Sequence, residues 1–242
     1  MSILNLDSKI AIVTGASSGI GAEFSKMLIE NGAEVYGLAR SEDKLNKLQK
    51  SLGNKFHPVK MDITNAEDLE EWVDDTFNLN HQPDILINNA GVMYSANVED
   101  LSMSEWHNMI NVNLNGIFYL TRLIVPLMKE NENTTHIINI SSIAGIMGNP
   151  TISGYNASKF GVRGFSEALF KELRYDAIKV TCVFPGSIDT ELFDKIDGID
   201  NHPNMMKTTD ISSTVKFLLE TDDNFLINEI TMRPLNPKDP TN

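Results

Sequence analysis

The 242 residues predict a single-domain α/β fold, a doubly wound parallel sheet of about seven strands with helices on both faces. Three observations carry that expectation. Short runs rich in Val and Ile recur along the chain, these runs are nearly continuous in apolar character rather than alternating, and segments of helical length separate them. Strands covered on both faces have that continuous character, and strict alternation of strand with helix builds a parallel sheet through right-handed crossovers.

The strands are expected at residues 9–14, 33–39, 56–61, 84–88, 136–141, 179–184 and 225–232. The first helix, over 20–31, carries Ile20, Phe24, Met27 and Leu28 at helical spacing and stops at Asn31-Gly32, because glycine takes a helix-ending conformation at low cost. Residues 41–52 form a similar helix. A third, over 65–79, opens with Asn65 as a cap and places Glu67 and Asp68 in the first turn, where the helix dipole favours negative charge. Its acidic run through Asp75 reads as a solvated face. The segment 191–208 has no clear period, and loops of that kind carry function more often than scaffold. One domain is expected over residues 1–235, with 236–242, which holds two prolines, as a loose tail.

Thirty-three acidic residues against 20 basic ones give a formal charge of -13, which repels phosphate backbones and anionic lipid surfaces. Neither nucleic acid nor membrane is expected as a partner. The single cysteine, Cys182, forms no disulfide within the chain and lies in an apolar strand as a small core residue; a reducing cytoplasm fits it. The N-terminal residues lack the basic region, apolar core and cleavage site of an export signal. The apolar stretch 116–128, broken by Tyr119, Thr121, Arg122 and Pro126, falls short of the roughly 20 residues of a membrane span. His57, His81, His107, His136 and His202 are isolated from one another and from carboxylates at ligand spacing, so no metal site is expected.

The first strand runs into Thr14-Gly15-Ala16-Ser17-Ser18-Gly19-Ile20-Gly21 and then a helix. Glycines allow close backbone approach, and a helix N-terminus offers unpaired N–H groups to a pyrophosphate. The spacing is GxxxGxG, not GxGxxG, and glycines alone would serve equally well as a tight packing turn. At the end of the second strand, where an acid bonds a ribose 2′-OH and a cation accepts a 2′-phosphate, the chain reads Leu38-Ala39-Arg40.

Tyr155-Asn156-Ala157-Ser158-Lys159 sets a phenol and an ammonium at i and i+4, on one helix face with Cβ atoms roughly 5–6 Å apart. A tyrosine pKa near 10 makes a poor acid-base group at neutral pH until a cation favours the phenolate, and Lys159 is positioned to supply that field. Ser142, 13 residues before Tyr155 and at the end of the fifth strand, lies where open α/β sheets bind ligands and can hold a carbonyl or alkoxide oxygen.

These motifs together resemble the short-chain dehydrogenase/reductase family: TGxxxGxG at 14–21, Asn88-Asn89-Ala90-Gly91 after the fourth strand, Ser142 with Tyr155 and Lys159, and Pro185-Gly186-Ser187-Ile188-Asp189-Thr190, similar to PGxVxT with Ile for Val. The likeness runs from Thr14 to about Thr190. It implies a Rossmann-type fold and an oxidoreductase that moves a hydride between NADP(H) and a small carbonyl or secondary alcohol by a Ser-Tyr-Lys mechanism with Asn assistance. By the same resemblance the catalytic residues are Asn113, Ser142, Tyr155 and Lys159. Asn113 is chosen over Asn111 and Asn115 by the family match, and its amide is expected to bend its helix, to bond locally, or to fix a water that relays protons from Lys159 to solvent.

The cofactor residues implied are Gly15, Ser17, Ser18, Gly19, Ile20, Gly21, Arg40, Asp62, Ile63, Asn89, Ala90, Gly91, Tyr155, Lys159, Pro185, Gly186, Ile188 and Thr190. Asp62 would meet the adenine, Lys159 the nicotinamide ribose, and the groups near Ile188 and Thr190 the carboxamide. Family members that use NAD carry Asp where Ala39 stands, so Ala39-Arg40 resembles the NADP-preferring branch. Among relatives, 3-hydroxy acid dehydrogenases and broad-range carbonyl reductases are the closer kind. The 3-oxoacyl carrier-protein reductases end in a Gly-rich segment that the sequence 229–237 lacks, and the acidic charge would repel an acidic carrier. A non-catalytic NADP-binding sensor on the same fold is the other alternative, opposed by the presence of both Tyr155 and Lys159. A homodimer or homotetramer is implied, with Phe160, Gly164, Glu167, Ala168 and Lys171 on the helix face away from the site. Phe184, Leu192, Phe193, Met205 and Met206 suggest an apolar pocket wall.

Overall fold

The computed structural model describes residues 4–191 and 202–237, so Leu192, Phe193 and the tail beyond residue 237 lie outside the described residues. The strands are β1 (Ile10–Thr14), β2 (Glu34–Ala39), β3 (Phe56–Lys60), β4 (Ile85–Asn88), β5 (Thr135–Ile140), β6 (Ile178–Pro185) and β7 (Glu229–Met232). The helices are α1 (Gly19–Glu30), α2 (Glu42–Leu52), α3 (Ala66–Thr76), α4 (Met103–Ile110), α5 (Gly116–Lys129), α6 (Ser153–Leu173) and α7 (Thr208–Leu219). All seven strands pair in parallel in the order β3-β2-β1-β4-β5-β6-β7. The chain winds outward from β1 to β3 and returns to β4 on the other side of β1. The crossovers that follow β1 and β4 therefore lead to opposite sides of this pair, and that is where such sheets open a ligand crevice.

The continuous apolar runs work as a doubly covered sheet requires. Along β1, Ala11 and Val13 enter one core with Phe24 and Leu28 of α1 and Ile211 and Val215 of α7. Ile10 and Ile12 enter the other, with Leu69 of α3, Leu120 and Ile124 of α5 and Leu169 of α6. At about 25 cal/mol per Å² of apolar surface removed from water, both cores drive folding and each of the four residues from Ile10 to Val13 contributes. Gly32, at φ +105°, ends α1 as the sequence requires, and the Asn65 carboxamide oxygen caps α3 by accepting from the Glu67 and Asp68 N–H groups.

Most boundaries fall within one residue of the sequence expectation, and two differ by more. Helix α3 stops at Thr76 rather than 79, because Phe77 turns extended (φ -116°, ψ 151°) and sets its ring edge-on to Tyr36 and Trp72. Strand β7 begins at Glu229 rather than 225. Residues 222–225 close a turn in which Phe225 N–H donates to the Asp222 carbonyl, and the Phe225 ring is exposed. No helix among the described residues is long and apolar enough to cross a membrane.

Candidate active site

The turn after β1 is shaped by the loop after β4. Thr14 Oγ1 accepts from the N–H groups of Asn89 (2.9 Å) and Ala90 (3.0 Å), while Asn89 Nδ2 donates to the Thr14 carbonyl at 2.9 Å. Asn89 thus serves as a clamp, its carboxamide committed to the backbone of the turn. The approach is close enough to dictate glycine: a Cβ on Gly15, whose φ is +67°, would stand 2.9 Å from Ala90 Cα, and one on Gly21 would collide with the Gly15 carbonyl oxygen. Ser18, the N-cap of α1, makes no side-chain capping bond, and the first turn holds no acid. Its N–H groups and positive dipole end are thereby left for an anion.

Arg40, Asp62 and Ile63 follow the adjacent ends of β2 and β3, where Ala39 lies in register with Lys60. Arg40 is exposed and makes no hydrogen bond or ion pair with a described residue. Burial tends to raise the Asp62 carboxyl, but hydrogen bonds from the Thr64 N–H and hydroxyl and the charge of Arg40 outweigh it and hold the pKa below its usual value. The Ile63 side chain is core and packs on Gly116.

Ser142 follows β5, and Tyr155 and Lys159 sit in the first turns of α6, both nearly fully buried. The Ser142 hydroxyl accepts from Ala144 N–H at 3.2 Å, lies 3.5 Å from the Pro185 carbonyl oxygen, and is close enough to the Tyr155 phenol to pull its pKa down. Burial pushes that phenol up to about 12, with only the Ser142 bond pulling it down. Burial also lowers the Lys159 ammonium to about 8. The ammonium donates to the Ile140 carbonyl at 2.8 Å and stands 5.7 Å from the centre of the Tyr155 ring. The expected depression of the tyrosine by Lys159 is therefore absent from this arrangement: desolvation dominates and the lysine is drawn to a carbonyl.

Asn113 is fully buried in a π-helical turn, Asn111–Asn115, that joins α4 to α5. Its Oδ1 accepts from Val92 N–H (2.8 Å), and its Nδ2 donates to the Val92 carbonyl (2.9 Å) and to Ser158 Oγ (3.0 Å), which in turn donates to the Tyr155 carbonyl. Both amide protons are spent, so the side chain braces the β4 loop against α6 instead of holding a water with them. Gly91 lies between this brace and the lysine: a Cβ there would stand 3.4 Å from Asn113 Oδ1 and 3.6 Å from Lys159 Nζ.

A second brace, Asn156, carries no signal in the sequence beyond being a polar residue inside a helix. Its Nδ2 donates to the carbonyls of Ala144 (2.7 Å) and Met147 (2.8 Å), and its Oδ1 accepts from Asn149 N–H (3.1 Å), which fixes the loop that follows Ser142. Beyond β6, Ile188 is buried and pairs with Met206 through Asp189 N–H to the Met206 carbonyl and Met206 N–H to the Ser187 carbonyl. The Thr190 methyl lies 3.6 Å from where a Gly19 Cβ would be, so this segment returns to the glycine turn. Gly186 N–H donates to the Met232 carbonyl at 2.8 Å. Phe184 does not line a pocket: it is buried with Ile117, Val162 and Cys182, because residues of β6 alternate between the two faces. Met205 is buried and Met206 packs on the α1 side of the core. Tyr155 itself is set among Met109, Ala144, Val92, Tyr94 and Ile152, an apolar surround.

The glycine turn, the clamp from the β4 loop and the Ser142, Tyr155 and Lys159 cluster thus gather at one end of the sheet, and the model of the short chain dehydrogenase family matches residues 9–199. The chain belongs to the short-chain dehydrogenase family. An "uncharacterized oxidoreductase" of Staphylococcus aureus (strain USA300) is 34% identical over 231 residues, covering 95% of this dehydrogenase and 99% of the relative. Another from Staphylococcus saprophyticus is 32% identical over 240 residues, covering 95% and 97%. Among solved structures, the closed form of serine dehydrogenase complexed with NADP+ superposes with a TM-score of 0.85 at 29% identity, over 92% of this chain and 94% of that one. A 3-ketoacyl-(acyl-carrier-protein) reductase from Brucella melitensis complexed with NADH gives 0.86 at 26%, over 96% and 99%. An alcohol dehydrogenase from the archaeon Thermococcus sibiricus complexed with 5-hydroxy-NADP gives 0.85 at 26%, over 95% and 99%. Among the described residues of this short-chain dehydrogenase, no three His, Cys, Asp or Glu side chains are grouped to hold a metal ion.

Proposed function

We propose that this oxidoreductase interconverts a carbonyl and a secondary alcohol on a small substrate, with NADP(H) as its cofactor. The observation that carries the reading is the cluster of the Ser142 hydroxyl, the buried Tyr155 phenol and the buried Lys159 ammonium at the carboxyl ends of the strands. In the reducing direction Ser142 steadies the carbonyl oxygen and Tyr155 gives it the phenolic proton as negative charge develops there. A phenol held protonated by burial is the form that donates. Lys159, bonded to the Ile140 carbonyl and 5.7 Å from the Tyr155 ring centre, keeps a positive charge in the pocket, and Asn113 and Asn156 hold the loops that carry these groups. When bound, NADPH supplies the hydride.

The residues present fit that cofactor. Gly15, Ser17, Ser18, Gly19, Ile20 and Gly21 form the glycine cradle and helix N-terminus for the pyrophosphate. Arg40, exposed beside Ala39, would take the 2′-phosphate, with Asp62 and the backbone of Ile63 toward the adenine. Asn89 holds the turn, Ala90 and Gly91 flank it, and Pro185, Gly186, Ile188 and Thr190 would hold the carboxamide end. Two of the solved relatives are complexes with NADP+ and 5-hydroxy-NADP, which supports the NADP assignment.

An acyl chain on a carrier protein is a second reading, favoured by the likeness to the Brucella reductase. The formal charge of -13 opposes docking of an acidic carrier, so a free small molecule is preferred. The same reading places the protein in the cytoplasm as a homodimer or homotetramer. Following NADPH absorbance across a panel of small carbonyl compounds tests it. Consumption of NADPH with formation of the alcohol is expected for at least one compound, and cofactor binding with no turnover on any would count for the sensor alternative.

A further inference from the structure

We propose that Arg233 is an anion-recognising residue of the substrate site, and that the substrate therefore carries a carboxylate on the chain that bears its carbonyl. This rests on the carbonyl-reducing reading above. Arg233 follows the last residue of β7, at the same end of the sheet as the catalytic cluster. Its backbone is fixed there: a Cβ on Gly186 would lie 3.5 Å from Arg233 Cα, and the carbonyl of the preceding residue, Pro185, is 3.5 Å from Ser142 Oγ. From that position the guanidinium reaches the other side of the mouth, its Nη2 standing 3.4 Å from Met147 Sδ. Met147 is on the loop after Ser142, and Asn156, next to Tyr155, holds its carbonyl. The side chain thus bridges two loops that border the reacting groups.

A thioether is a weak acceptor, so this contact seats the guanidinium without consuming its hydrogen-bonding capacity. Arg233 is exposed and forms no ion pair with a described residue. Across the described stretches 89–94, 141–149 and 185–191 and at residue 233 it is the one cation, Lys207 standing at the far end of the loop that leaves β6, next to α7. The acids there are Asp189 and Glu191, and Glu191 is already paired with Lys44 at 2.7 Å. Around Tyr155 the surround is apolar, from Val92, Tyr94 and Ile152. A substrate seated between Tyr155 and Arg233 meets an apolar wall and one planar fork of N–H donors. That combination matches an oxo acid, whose carboxylate accepts two parallel bonds from a guanidinium.

The test compares kcat/KM for 2-, 3- and 4-oxo acids with that for their methyl esters, and for phosphate monoesters of similar chain length, in the wild type and in Arg233→Ala, Arg233→Lys and Arg233→Glu. The wild type is expected to favour at least one acid over its ester by about tenfold or more, and Arg233→Ala to cut that ratio by about 10- to 100-fold, chiefly through KM of the acid. Arg233→Lys should keep part of the preference and Arg233→Glu should turn it toward the ester. A wild type that prefers esters or phosphate monoesters, or a ratio unmoved in Arg233→Ala, overturns the proposal while leaving the reductase reading in place. So does a loss that falls on KM for NADPH instead. NADPH consumption by none of the three series removes both.

Discussion

Arg40 is a cation at the start of a helix, a place where positive charge is unfavourable unless an anion compensates, and its charge helps to hold down the pKa of the nearby Asp62. In the proposed reading a cofactor 2′-phosphate would supply that anion, with a charge-assisted bond worth about 1.5–3 kcal/mol. Arg40→Ala should therefore lower the NADPH over NADH preference in kcat/KM by about tenfold or more; a wild type indifferent to the 2′-phosphate, or a preference unchanged by the substitution, contradicts the assignment. Lys159 is the second informative residue, because burial lowers its pKa to about 8. Its charge is present at neutral pH and fades as pH rises through 8, so kcat/KM for reduction should fall above that pH, and Lys159→Met should lose this limb along with most of the activity. The stability consequence has the opposite sense. The unfolded chain keeps its lysine proton up to about 10.5, so between pH 8 and 10.5 it binds more protons than the folded protein, and this group's contribution makes folding more favourable as pH rises.

Helix α6 does the most at the scale of elements, since one stretch of it supplies Tyr155 and Lys159 to the proposed chemistry and Asn156 and Ser158 to the bracing. Asn156→Ala would leave two carbonyls and one N–H of the 144–149 loop without partners, at about 1–3 kcal/mol for each that stays buried. It should lower both Tm and kcat, the latter by roughly tenfold, while KM for NADPH holds, because the loop carries Ser142 and not the glycine turn. A variant with lower Tm but wild-type kcat would show the brace to be structural only. The sequence made the strands legible because each buried strand is an unbroken apolar run. It made the glycine turn and the Tyr155 and Lys159 pair legible because both are patterns within a few consecutive residues. The 225–228 stretch misled for the same reason, being apolar in sequence yet set outside the ladder by the turn at 222–225. The clamps made by Asn89, Asn113 and Asn156 were not legible, since a single amide has no period and its partners lie elsewhere in the chain. The direction of the Tyr155 shift is not legible in the sequence either, because burial, which decides it, is a property of the packed fold. Arg233 lies furthest from sequence reasoning, as its contact joins residues 86 apart.

For the molecule as a whole, the outward face of α6 bears on assembly. Phe160 on that helix is 44% exposed and Phe118 on α5 is 47% exposed, with Gly164 and Ala168 also on the open side. Covering such a face is consistent with the proposed homodimer or homotetramer. Sedimentation at micromolar concentration should show a dimer or tetramer, and a fully active monomer would reject that assembly. The account's central claim is that a cofactor held at the β1 turn and a proton held at Tyr155 meet on one substrate carbonyl. Tyr155→Phe tests it most directly, because the substitution keeps the ring among Met109 and Ala144 and removes only the hydroxyl. With any carbonyl compound that the wild type reduces, kcat should fall by about 10²–10⁴-fold while the affinity for NADPH stays close to wild type. Near-normal turnover in Tyr155→Phe would mean that the proton comes from another group and would contradict the account.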